Sequence, residues 1–160
     1  MLLPLALLLL LPQPPACSAL EFRQFDFWVG EWDVTGPGGK PAGTNVVTRE
    51  LKDCVIHEHW TGSTGGHGES FNMYDRASGQ WHQTWVADAG NLLLLDGHLE
   101  GGRMVLSNRL PQAAGTFLIN RITWTPIDRD HVRQLWEASH DEGKTWQVQF
   151  DGLYSRVKAP

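Results

Sequence analysis

Basic charge is scarce in this chain, and no run of it occurs anywhere. Lys and Arg total 13 against 18 Asp and Glu, a formal net charge of −5. A mildly acidic surface without a basic patch offers little to a polyanion, which excludes nucleic acid and anionic membrane as partners. Cysteine is nearly missing, at 2 residues, Cys17 and Cys54. Long hydrophobic runs are missing as well. None reaches the roughly 18 residues that a membrane-crossing helix needs, so no membrane span is expected. Gly-x-Ser-x-Gly is absent. The glycine-rich "GSTGGHGES" lacks the Lys and the following helix of a phosphate-binding loop, and it reads as a flexible hairpin loop.

What is present begins with "MLLPLALLLLLPQPPACSA", a short apolar stretch, a proline-rich spacer and a small-residue exit. That order is the pattern of a secretory leader, although it carries no Lys or Arg. The expected layout is a signal peptide over residues 1–19 and a single domain over 20–160, secreted or periplasmic. A chain of 160 residues is long enough for one real core and too short for two. Two exits are open. Cleavage after Ala19 leaves only Cys54 and precludes an intramolecular disulfide. Alternatively, Cys17 becomes the lipidated first residue of a lipoprotein.

The remainder alternates between short β-rich runs and turn residues. Strands are expected at Trp32–Thr35, Asn45–Leu51, Cys54–Trp60, Ser70–Tyr74, Gln80–Val86, Asn91–Leu95, Arg103–Asn108, Thr116–Trp124, His131–Ser139 and Trp146–Tyr154. Between them lie tight-turn strings such as "DRASGQ" and "DEGK", and longer glycine loops, "GPGGKPAG" and "GSTGGHGE". Helix is expected only as a short N-terminal turn over Glu21–Val29. About ten antiparallel strands in succession predict an all-β, up-and-down barrel or a sandwich. The string "SHDEGKTW" resembles the Asp-box of sialidase-type propellers. Propellers repeat their blades and this string occurs once, so it is read as a structural hairpin.

Gly30-Glu31-Trp32 stands just ahead of the first strand, and Arg156 stands in the last. This resembles the closing arrangement of calycins, lipocalin-type barrels in which a Trp plugs one end and an Arg stacks over it. The wider strings "FDFWVGEWDV", "SFNMYD", "WHQTWV", "RITWTP", "VRQLWEASHDEGKTW" and "FDGLY" resemble a family of secreted or periplasmic bacterial proteins of unknown function. The resemblance spans Phe25–Tyr154. It implies a lipocalin-like barrel and an export route, and it implies no activity.

Alternate strand residues point into such a barrel. Taking the tryptophan-bearing faces as interior predicts a lumen of Glu58, Trp60, Asn72, Tyr74, Trp81, Gln83, Trp85, Gln134 and Trp136. Arg121 joins them only if Trp124 points out; a closed polar core pairing Glu58 with Arg121 is the alternative. Amides and a carboxylate among aromatics suit a hydrated cavity, since inward polar groups must find partners or water. The partner expected is a small aromatic or amphipathic molecule. The other functions considered are a structural or protein-interaction barrel and an enzyme using Glu58 as general base.

His57 and His59 raise the question of a metal. However, the Glu that cupin-type centres carry after His-x-His is missing within "WTGSTGG". His82 shares their outward parity, but the strand Ser70–Tyr74 should intervene. Two inter-strand steps are about 9.6 Å, too far for ligands about 2 Å from one ion. Cys54 and His57 point to opposite faces. No metal ligand, catalytic residue or cofactor is therefore assigned.

Overall fold

In the computed structural model, which describes residues 15–158, ten runs of alternating burial become ten antiparallel strands closed into one barrel. Most of the leader read over 1–19 lies outside the described residues. The strands are β1 (Gly30–Thr35), β2 (Pro41–Glu50), β3 (Val55–Gly62), β4 (His67–Asp75), β5 (Gln80–Ala87), β6 (Leu92–Glu100), β7 (Arg103–Pro111), β8 (Phe117–Pro126), β9 (His131–Ser139) and β10 (Gln147–Arg156). Each pairs with its neighbours in sequence, and β1 also pairs with β10. Closure gives every strand a partner on both sides, although β6 and β7 part beyond Asp96 and Ser107. No helix among the described residues is long and apolar enough to cross a membrane.

All ten expected strands form, with bounds shifted by a few residues. The largest shift is in β6, which runs on through Asp96–Glu100 where a turn was expected, and in "GSTGGHGE" His67–Glu69 belong to β4 rather than to a loop. Turn chemistry explains the tight corners. The Asp75 carboxylate accepts the Ala77 and Ser78 N–H groups at 2.9 and 3.2 Å. The Asp-box string forms the β9–β10 hairpin. There Asp141 accepts the Thr145 N–H at 2.8 Å, Ser139 Oγ accepts the Gly143 N–H at 2.9 Å, and Trp146 donates to the Gly143 carbonyl at 3.1 Å. The Thr145 and Ser139 hydrogen bonds hold the Asp141 carboxyl down at about 2.

The N-terminal segment closes one end. Two short 3-10 turns, Leu20–Arg23 and Asp26–Trp28, replace the single helical turn expected. Phe25 and Trp28 are fully buried and stack at 5.0 Å, with Trp124 against both. Trp32 donates to the Trp28 carbonyl at 2.9 Å, and the Arg156 guanidinium lies 4.1 Å over the Trp32 ring. Arg156 also donates to the Val29 carbonyl at 3.0 Å. Gly30 is required at this point, because a Cβ there would collide with the guanidinium. Trp28, outside Gly-x-Trp, is as deeply buried as Trp32.

The cysteines bring a second correction. Cys17 and Cys54 form a disulfide with Cα atoms 5.1 Å apart. It fastens the N-terminal segment to the β2–β3 turn, where Leu51, Lys52 and Asp53 all adopt positive φ. Asp26 and Arg49 add an ion pair at 2.5 Å. The expectation that no intramolecular disulfide forms had discarded Cys17 with the leader.

Candidate functional site

Plug side chains fill only one half of the barrel. The other half holds a cavity of about 220 Å³, lined by Glu58, Trp60, Gln83, Trp85, Leu93, Ile122, Gln134, Trp136, Gln149, Phe150 and Tyr154. Gln149 is exposed and Trp60, Trp85, Trp136 and Phe150 are half-buried, so the cavity reaches solvent at the end opposite the plug. Inward glycines let the aromatic rings lie back against the wall. A Cβ on Gly68 would strike the Trp85 ring, and Gly43 and Gly152 stand in the same relation to Trp60 and Phe150. Trp60 and Phe150 meet edge-on at 5.9 Å.

A polar ladder crosses the inner face of β2 to β5. Strand pairing puts Asn45 beside Trp60, Glu58 opposite Ser70, and Asn72 opposite Gln83. Glu58 Oε1 accepts from Asn45 at 2.8 Å and Oε2 from Ser70 at 2.6 Å. Asn72 donates to Ser70 Oγ at 2.9 Å, and Gln83 donates to Asn72 at 2.8 Å. On the facing wall Tyr154 donates to Gln134. Trp136 donates to Asn120 at 3.1 Å.

Both carboxylate oxygens are met by neutral donors, with burial complete around them. Burial pushes the Glu58 carboxyl up to about 7, against the opposing pull of the Ser70 and Asn45 hydrogen bonds. Burial, with the Glu58 charge nearby, also drives the Tyr154 hydroxyl well above its ordinary range. The folded protein therefore binds a Glu58 proton that the unfolded chain releases near 4.5. Stability from this group is full below about pH 4.5 and falls as pH rises through about 7, by about 3 kcal/mol in all. Glu58→Gln can still accept from Asn45 and reach Ser70, so it should remove that decline. Urea unfolding at about pH 5 and about pH 8 checks it; equal pH slopes in the two proteins would refute the raised value.

Of the ten site residues expected from sequence, six line the cavity: Glu58, Trp60, Gln83, Trp85, Gln134 and Trp136. Asn72 points inward but lies behind Ser70 in the ladder. Tyr74 and Trp81 also point inward, at the plugged end. There Tyr74 meets Phe22 at 5.5 Å, and Trp81 donates to Gln24 at 3.0 Å. Arg121 is the clear correction. Trp124 takes the inward parity and is fully buried, so Arg121 lies outside, 2.9 Å from Glu137 and 3.8 Å over Trp146. Glu58 is thus not paired with Arg121. Leu93, Ile122, Gln149, Phe150 and Tyr154 were missed. Parity with Arg156 in the last strand was the available signal for Tyr154. His57, His59 and His82 face outward, as expected.

Against known proteins, no family model matches the chain and no curated protein matches it.

Proposed function

We propose that the protein is an exported small-molecule-binding barrel. Its ligand is an aromatic or amphipathic molecule whose polar tip meets Glu58, Gln83 or Gln134. The observation that carries this is the solvent-reaching cavity, in which five aromatic rings surround one buried, titratable carboxyl. At about 220 Å³ it falls below the roughly 300–1,000 Å³ of drug-sized pockets, so it favours a ligand of one or two rings. The lipocalin-like resemblance of the plug and the leader pattern support the same assignment. Export is proposed with one change. A mature chain that keeps the Cys17–Cys54 bond has lost its leader before Cys17, not after Ala19, and its Cys17 thiol is not available for lipid.

Titration with single-ring and two-ring aromatic acids and alcohols should quench tryptophan emission saturably, because Trp60, Trp85 and Trp136 line the cavity. Above about pH 7, where Glu58 carries its charge, Glu58→Gln should weaken the best of the alcohols by about 1.5–3 kcal/mol, the worth of a hydrogen bond to a charged group. Gly68→Ala should abolish uptake, since its methyl group displaces the Trp85 ring into the cavity. Unsaturable quenching, or affinity indifferent to both changes, would remove the lumen as a site.

A second reading has one specific support. A carboxyl held near 7 is matched to general acid–base work near neutral pH. A turnover that follows Glu58 ionisation and vanishes in Glu58→Gln would favour an enzyme over a carrier.

A further inference from the structure

A second group of ligating side chains sits on the outside of the barrel, away from the cavity. Strand alternation puts His57 and His59 on the outer face of β3, with ring centroids 3.9 Å apart. The register sets Glu69 of β4 opposite His59 and Phe71 opposite His57. Glu69 Oε2 lies 3.1 Å from His57 Nε2, and Oε1 lies 3.5 Å from His59 Nδ1. One ligand atom from each of the three residues falls within 4.8 Å of the others. Phe71 stacks on the His57 ring at 4.2 Å and fixes its plane.

Those separations are what a metal ion needs. Four ligand atoms at about 2.0–2.2 Å from a tetrahedral zinc stand about 3.3–3.6 Å from one another. The His–Glu separations, 3.1 Å to one oxygen of the Glu69 carboxylate and 3.5 Å to the other, lie close to that range, and turning the His59 imidazole toward the oxygen that meets His57 completes the set. Two imidazoles with one carboxylate favour zinc, copper, nickel or cobalt over magnesium or calcium, which take oxygen ligands. We propose that His57, His59 and Glu69 bind a zinc-class divalent ion, with a fourth position open to water on the solvent side.

The sequence concealed this site because the carboxylate does not follow His-x-His along the chain. It arrives from the next strand, through a segment whose glycines resemble a loop. His82 is one strand further on and is held by Asp96 at 2.7 Å, so it serves as a control. The site is independent of the cavity, and neither assignment depends on the other.

Zinc titration by calorimetry, with cobalt absorption as a geometric reporter, tests the proposal on the full disulfide-bonded chain. One saturable equivalent per chain is expected, with tetrahedral cobalt bands. Even an outer partner of a metal ligand is worth about 10–100-fold in affinity, so His59→Ala and Glu69→Gln should each weaken zinc by at least about tenfold. His82→Ala and Glu58→Gln should leave uptake unchanged. Circular dichroism of the surface variants confirms that they remain folded. No saturable uptake, uptake indifferent to the His59 and Glu69 changes, or uptake lost with His82→Ala would overturn it.

Discussion

Trp32→Ala should destabilise the barrel by about 3–5 kcal/mol, the range for removing a large buried aromatic. Three losses coincide at this residue. Its ring is 1% exposed, so its removal opens a cavity against Tyr154, which it meets at 6.2 Å. Its indole N–H no longer holds the Trp28 carbonyl. Arg156 loses the face it stacks on, and with it part of the bond between the first and last strands. For a chain of this length the thermal midpoint should fall on the order of 10 °C. Trp28→Ala should cost a similar amount, because Trp28 is fully buried against Phe25, Trp124 and Tyr154. Trp32→Phe keeps a ring beneath Arg156 and should recover part of the loss. A midpoint unmoved by Trp32→Ala would show that the barrel closes without its plug.

Period-two alternation made most of the interior legible. The rule that turned Trp81, Gln83 and Trp85 inward is enforced by pleating, and a one-residue slip would have exposed all three. Alternation reports a face, not a height. Tyr74 and Trp81 therefore share parity with the cavity residues yet pack against the plug, while Trp60 and Trp85 stand at the open end. In β8 both faces carry apolar residues, with Ile119 and Thr123 beside Arg121 and Ile122 beside Trp124, so parity alone left the choice open. The plug decided it, because Phe25 and Trp28 demand a large partner and Trp124 supplies one. Glu58 was recognisable as an inward carboxylate, but its partners were not. Asn45 and Ser70 reach it only through pairing across three strands.

Breaking the Cys17–Cys54 bond should cost about 4 kcal/mol, close to the Trp32 effect. The two residues are 37 apart in sequence. In the loop-entropy account, opening a closed loop of that length releases this much conformational freedom to the unfolded chain. The native state loses order as well, because the bond is one of several ties on the same segment. Asp26 to Arg49, Arg23 to the Asp53 carbonyl, Gln24 to Trp81 and Phe22 against Tyr74 lie beside it, and Phe25 and Trp28 anchor the segment deeper in the barrel. The ties nearest the bond are too weak to replace it, since an exposed ion pair contributes at most about 1 kcal/mol. The double variant Cys17→Ser, Cys54→Ser should therefore unfold at lower urea. Adding reductant to the parent protein should reproduce that shift and leave the variant unaffected. Amide exchange should quicken first over Leu20–Trp28, ahead of the strands, because this segment is held by side chains rather than by a β-ladder. If reduction left the urea midpoint and the exchange of this segment unchanged, the aromatic contacts alone would be holding the plug, and the disulfide would add nothing to closure.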